Sequence, residues 1–198
     1  MTTRISDLAA ASGRIAGALA LILAVSSCSN VGGIDTTLTS PISNDDTFAT
    51  LGYFWAGARS AIQKEREPST NTFNLALNYA LPCTRGGQGS YQGTLAGTKS
   101  GGTGTATLAL GAVITACQFD ERVRIITISA PALTVSGTVA VTNDAWGAVN
   151  IRMVASAVTV NGVSCPGGVD VTLTGTSPSG QLTSTGTSCG RTGAVALP

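Results

Sequence analysis

The 198-residue sequence has five cysteines and no histidine, so thiols are its most reactive side chains. A cysteine nucleophile paired with histidine, a Ser-His-Asp triad and an H-E-x-x-H zinc site are excluded, since each requires an imidazole. No C-x-x-C pair occurs either, so we expect no metal site. The cysteines are therefore expected to be acylated or bonded to one another.

Cys28 differs from the other cysteines because it follows an apolar run near the N terminus. Arg4 and Arg14 precede this run, which covers 15–25. It is too short to cross a bilayer as a permanent helix, but it has the length of a signal-peptide core. The tetrad Val25-Ser26-Ser27-Cys28 resembles the lipobox of bacterial lipoproteins. The resemblance implies cleavage before Cys28 and acylation of its thiol and new amino group. An ordinary secretory signal or an uncleaved anchor are the alternatives.

On this interpretation the chain has three parts: a removed signal peptide at 1–27, an acylated residue with its tether at 28–44, and one domain at 45–198. The tether is rich in Gly, Ser, Thr and Asn, and its residues 29–44 would span roughly 20–25 Å root-mean-square. By analogy with enteric bacteria, Ser29 in place of an inner-membrane retention aspartate favours the outer membrane.

The other four cysteines form an even set, which suits two disulfides in an exported protein: Cys83, Cys117, Cys165 and Cys189. Three pairings are possible. If successive strands are neighbours, the pairs Cys83–Cys117 and Cys165–Cys189 are favoured. Free buried thiols are the alternative.

The second candidate reaction is glycoside hydrolysis, which two carboxyl groups facing one cleft can catalyse. The four candidates fall at or near predicted turns, where solvated hairpin residues are the favoured interpretation: Asp120, Glu121, Asp144 and Asp170. Without residues 1–27 the chain has nine acidic and nine basic residues, so no basic surface for nucleic acid is indicated. We expect no catalytic residues and no cofactor.

Few aromatic side chains remain for ligand contacts outside the predicted helix. Tyr91 in a strand and Trp146 near a turn are the two candidate contact residues. An exposed aromatic ring beside a turn is a plausible place for a ligand or a partner to stack.

One helix is predicted over 45–66, capped by Asn44 or Asp45 and ended by Pro68. Its apolar positions share one helical face: Phe48, Leu51, Trp55, Ala58 and Ile62. This face is expected to pack on one side of a sheet. An interfacial helix beside the lipid anchor is the less favoured alternative.

From residue 72 onward the apolar period is two, interrupted by short turns. Asn161-Gly162 predicts a two-residue type I′ hairpin turn. A β-bulge is predicted near Gly111. At Pro131 the inward-facing residues are expected to change from even to odd positions. The last strand is expected from Gln181 to about Cys189. The fold class is mainly β: a curved antiparallel meander of seven to nine strands, with a barrel or a sandwich as closed variants and the helix on the concave side.

The expected function is that of a membrane-anchored, non-catalytic structural or binding domain of the cell envelope. The Gly-Thr strands, the cysteines at strand ends and a terminal Thr-Ser-Cys-Gly stretch resemble bacterial lipoproteins with all-β domains, a resemblance that brings no activity with it. The alternative is a lipid- or apolar-ligand-binding lipoprotein, which requires a cavity of several hundred Å³ between helix and sheet. A partner in the envelope is expected beside the membrane itself.

Overall fold

The computed structural model describes residues 41–65 and 69–197, which form one helix and ten strands. The predicted signal peptide and nearly all of the predicted tether lie outside the described residues. In chain order the elements are α1 (Asn44–Lys64), β1 (Thr72–Leu81), β2 (Gly86–Ser100), β3 (Thr103–Glu121), β4 (Arg124–Thr142), β5 (Ala145–Ala155), β6 (Thr159–Val160), β7 (Val163–Ser164), β8 (Val169–Gly175), β9 (Leu182–Ser188) and β10 (Arg191–Leu197).

The strands form one antiparallel sheet in the order β1-β2-β3-β4-β5-β8-β9-β10, with the short hairpin β6–β7 joined to β4. This meander is the predicted architecture, since short turns allow only antiparallel neighbours. Among the described strands β1 and β10 do not pair with each other, so the sheet is open. The closed barrel is therefore wrong.

Helix α1 begins one residue earlier than expected, because Ser43 is its N-cap. The Ser43 hydroxyl accepts a hydrogen bond from the Asp46 amide at 3.1 Å and donates one to the Asp46 carboxylate at 2.8 Å. This reciprocal arrangement satisfies an otherwise unpaired amide of the first turn. The expected cap at Asn44 or Asp45 is wrong, since both residues lie inside the helix.

Four two-residue hairpin turns of the described chain have positive φ at both central residues, as a type I′ turn requires, and one of them is Gly101-Gly102 (56° and 77°) between β2 and β3. Asn161-Gly162 (φ 52° and 79°) confirms the predicted hairpin, and Asn143-Asp144 (54° and 61°) joins β4 to β5. Cys189-Gly190 (50° and 77°) turns the chain into β10. The expectation that β9 is the last strand is therefore wrong.

The change of phase in β3 comes later than expected. Inward residues run on even positions to Ile114 and on odd positions from Cys117, and the register shifts between these two residues. Ala116, at φ 45°, lies in this bulge and its amide donates to the Ser129 hydroxyl at 2.9 Å. The ladder also shifts register between Ala112 and Ile114, close to the predicted bulge near Gly111, but the extra residue there belongs to β4 and not to β3. The change of phase at Pro131 in β4 is confirmed, since buried positions shift from Ala130 to Leu133.

Glycines in the Gly-Thr pairs lie where neighbouring strands approach closely. A Cβ added to Gly93 would lie 1.9 Å from the Ala109 carbonyl oxygen, and one added to Gly137 would lie 2.2 Å from the Asn150 carbonyl oxygen. Gly137 also has φ +149°, a conformation that disfavours other residues. The sequence predicts that small residues occupy these strand positions because the strands bend there, and glycine is the smallest residue available.

The helix approaches β2 most closely at Gly57, where an added Cβ would lie 2.3 Å from the Tyr91 ring. Gly52 in the same helix has no atom within 4 Å of such a Cβ. We expect Gly57→Ala to lower the free energy of unfolding by about 1–2 kcal/mol, because overpacking outweighs the better helix propensity of alanine. Gly52→Ala is the matched control and should raise the free energy of unfolding by about 1 kcal/mol. Urea denaturation measures both, and shifts of the same sign would contradict the close approach.

Candidate functional site

The two disulfides are the predicted ones. Cys83, just after β1, is bonded to Cys117 in β3 with a Cα–Cα distance of 5.1 Å. Cys165, between β7 and β8, is bonded to Cys189 at the β9–β10 turn with a Cα–Cα distance of 4.4 Å. Cys117 and Cys189 are fully buried. All four cysteines of the described domain are thus used, and neither bond involves Cys28.

Tyr91 is not a contact residue, which corrects the expectation from sequence. Its side chain is completely buried, and its hydroxyl donates to the carbonyl oxygen of Phe54 in α1 at 2.9 Å. Burial raises the pKa of Tyr91 well above its ordinary value, because the phenolate would lose its hydration. Its strand position faces inward, so the ring packs below the helix instead of meeting solvent.

Trp146 lies at the start of β5, opposite Val141 of β4, and is half-buried. Its ring packs edge-on against Phe73 of β1, with 6.1 Å between the ring centroids. The indole Nε1 is buried and has no hydrogen-bond partner among the described residues. Trp146 therefore belongs partly to the core, although part of its surface is accessible.

The four candidate carboxylates do not share a cleft. Asp120 pairs with Arg85 at 3.0 Å and lies at one end of β4, whereas Asp144 pairs with Lys99 and lies at the opposite end. Glu121 lies 3.8 Å from Arg122.

Asp170 on β8 receives two hydrogen bonds from Arg152 on β5, at 2.8 and 2.7 Å. These bonds lower the pKa of Asp170, so it is not a proton donor of the kind that glycosidases need. No group of three or more His, Cys, Asp or Glu in the described part of the chain is arranged to hold a metal ion.

A small cavity lies between the first turns of α1 and strands β8–β10. Phe48, Leu51 and Val195 provide much of its wall. Its volume is about 20 Å³, far below the several hundred Å³ of an apolar-ligand site. The hydroxyl of Ser188 and the Nε of Arg191, both buried, have no hydrogen-bond partner among the described residues, while Arg191 Nη2 donates to the Ile42 carbonyl at 2.7 Å.

Among the large aliphatic side chains of the described residues the most exposed is Val123, in the turn between β3 and β4. Its relative exposure is 102%, and that of nearby Ile125 is 51%. We call residues 120–125 the β3–β4 tip. The sequence predicts a solvated hairpin end at this turn. It does not indicate that the apolar residues of the turn are exposed, because Val and Ile are among the residues most often buried in proteins.

No protein family, curated protein or solved structure matches this chain. Within residues 41–65 and 69–197, no helix has both the length and the apolar character needed to cross a bilayer.

Proposed function

We propose that this chain is an exported lipoprotein, anchored by acyl groups on Cys28, whose β-domain acts as a non-catalytic structural or binding component of the cell envelope. The outer membrane is the favoured site. The proposal rests on the signal-like N terminus and the Val25-Ser26-Ser27-Cys28 tetrad, which resembles a lipobox.

The observation that carries the proposal is the use of the cysteines. Four of the five are paired in two disulfides, as is typical of proteins in an oxidising compartment. The remaining one is Cys28, which stands where a lipoprotein is acylated. Export and acylation together account for every cysteine.

A non-catalytic role is supported by the chemistry of the side chains. Imidazole is absent from the sequence, and the carboxylates Asp120, Asp144 and Asp170 each pair with a basic residue. Among them Asp170 accepts two hydrogen bonds from Arg152, which lower its pKa and make it poorly suited to donate a proton. This pattern fits surface charges that solvate a sheet.

In this proposal α1 occupies the concave side of a curved sheet. The helix contacts β1 and β10, the two edges of the sheet, as well as β2 and β4. Edges separated by seven strand spacings would be roughly 34 Å apart in a flat sheet. One helix about 10–12 Å wide touches both edges most readily when the sheet curls around it. Such a core leaves the outer face and the turns for partners.

We do not propose the alternative of an apolar-ligand carrier, because no observation favours it. The cavity beside α1 has room for about one water molecule. The helix side chains that would line a larger cavity are instead buried in the core, among them Phe54, Trp55 and Ile62.

The test is the fate of Cys28→Ser in a Gram-negative host. The parent protein should fractionate with the outer membrane, with a mass equal to residues 28–198 plus acyl chains and four alkylation sites only after reduction. Cys28→Ser should abolish acylation and remove the protein from the outer-membrane fraction, since no thiol remains to be modified. Ser27→Ala keeps a small residue in the tetrad and should stay acylated. An unacylated parent, or a Cys28→Ser variant that still carries acyl chains, would refute the proposal.

A further inference from the structure

The β3–β4 tip presents apolar surface where a soluble hairpin normally presents polar residues. Among the described residues four large aliphatic side chains are exposed, and Val123 and Ile125 are two of them. They lie at positions of the same parity, two residues apart at the end of one hairpin. Arg122 between Glu121 and Val123 has a side chain that is 82% exposed.

The tip lies at the end of the domain where the chain enters. Arg124 of the tip pairs with Asp46, in the first turn of α1, with 2.9 Å between Nη2 and Oδ1. Ser43 immediately precedes that helix as its N-cap. About two helical turns later, Tyr53 stacks on Phe119 of β3 with 3.9 Å between ring centroids. The segment that leads back to Cys28 therefore starts beside the tip.

We propose that the β3–β4 tip rests on the membrane, with Val123 and Ile125 at the level of the lipid headgroups. This inference depends on the proposed acyl anchor at Cys28. Only twelve residues, 29–40, lie between Cys28 and the described domain, so the end of the domain where Ser43 lies stays near the lipid surface.

The opposite end of the sheet is out of easy reach. The β2–β3 turn at Gly101-Gly102 and the β4–β5 turn at Asn143-Asp144 lie there side by side, with the Asp144 amide donating to the Gly102 carbonyl at 2.9 Å. Strand β3 has 19 residues, which is about 60 Å measured along the strand. The thirteen residue steps from Cys28 to Pro41 span only about 45 Å at full extension. Placing this end at the membrane would cost the connecting chain conformational entropy, so the tip is the end that lies at the membrane.

The contact is apolar in character because three ion pairs balance most of the charge at this end, where the exposed Asp45 is a further acidic residue with no ion pair among the described residues. Arg85 with Asp120, Arg122 with Glu121 and Arg124 with Asp46 leave little net charge to attract anionic lipid. A tip of this kind binds through its Val and Ile side chains in the interfacial layer. Its depth should therefore not depend on the anionic lipid content.

The experiment places a tryptophan at either end of the acylated protein and measures quenching by brominated lipid. Val123→Trp reports on the tip. Ser100→Trp is the matched control, because Ser100 is an exposed residue beside the β2–β3 turn and the variant introduces the same tryptophan side chain at the opposite end. Both proteins are reconstituted on vesicles of phosphatidylethanolamine and phosphatidylglycerol with brominated chains. The signal of Trp55 and Trp146 is subtracted with the parent protein. Mass and co-flotation with vesicles establish first that each variant is acylated and anchored.

We expect Val123→Trp to be quenched at least about twofold more strongly than Ser100→Trp, because only the tip reaches the interfacial layer. Replacing phosphatidylglycerol with phosphatidylcholine should leave this ratio unchanged. Equal quenching at the two positions in proteins that float with the vesicles would overturn the inference while leaving the anchor intact. Quenching at the tip that vanishes without anionic lipid, or protection of the tip by dimers seen in sedimentation, would overturn it as well. A protein that is not acylated would instead refute the proposed function.

Discussion

A variant with all four disulfide cysteines replaced by alanine is expected to be largely unfolded at 25 °C, and variants lacking one bond are expected to fold with reduced stability. The bonds close loops with sequence separations of 34 and 24 residues. By loop-closure entropy each stabilises the folded chain by about 3–4 kcal/mol. Together they contribute about 7 kcal/mol, which is comparable to the whole stability of a typical domain.

Alanine is preferred to serine in this experiment because Cys117, Cys165 and Cys189 are buried. A serine hydroxyl there would add the cost of an unpaired polar group to the loss of the bond. The measurement is urea denaturation followed by circular dichroism, with near-ultraviolet spectra to detect loss of packing in the fourfold variant. Cys28→Ala is the control, since Cys28 takes part in neither bond, and it should leave the midpoint unchanged. Single-bond variants within about 1 kcal/mol of the parent would contradict the prediction.

The second large effect is expected at Gly93, in β2 between Leu77 of β1 and Leu110 of β3. We expect Gly93→Ala to lower the free energy of unfolding by about 3 kcal/mol. The added methyl group would lie 1.9 Å from the Ala109 carbonyl oxygen and 2.8 Å from the Leu110 Cα. Both are backbone atoms, so the two strands must separate locally and lose ladder hydrogen bonds.

Gly111, in the adjacent β3, is the matched control. It pairs with Gln92, its surface is exposed, and the nearest atom to an added Cβ is the Gln92 carbonyl oxygen at 4.0 Å. Gly111→Ala should therefore raise the free energy of unfolding by about 0.5 kcal/mol, because alanine loses less backbone entropy in a strand. Denaturation curves of both variants, compared with the parent, test the pair. A Gly93→Ala midpoint equal to that of Gly111→Ala would show that β2 and β3 do not approach as closely as described.

Features governed by local interactions were the ones predicted correctly. Asn161-Gly162 predicted its own turn, because both residues tolerate the positive φ that a type I′ hairpin needs. Pro131 predicted the change of phase in β4, because it cannot donate to the ladder. The disulfide pairs followed from a meander, in which strands adjacent in sequence are adjacent in space.

The errors concern choices between residues that are locally equivalent. Ser43, Asn44 and Asp45 all have good N-cap side chains, and only the path of the entering chain selected Ser43. Gly111 was the predicted bulge site, whereas the bulge of β3 includes Ala116, whose amide donates a hydrogen bond to the Ser129 hydroxyl of β4. Only four consecutive apolar residues, 194–197, follow Cys189, and this run was too short to predict β10, which is stabilised by its pairing with β9.

The sequence by itself determined the order of the strands, most of the turns, the disulfide pairs and the absence of imidazole chemistry. These properties depend on backbone preferences, on composition and on contacts between neighbours along the chain. Only the tertiary structure decided that Tyr91 is covered by α1, that the sheet stays open, and that Val123 lies uncovered beside the start of α1. Each of these three features depends on which residues, distant along the chain, come into contact when the helix packs on the sheet. A period-two pattern specifies which face of a strand is buried, but it does not specify which element covers that face.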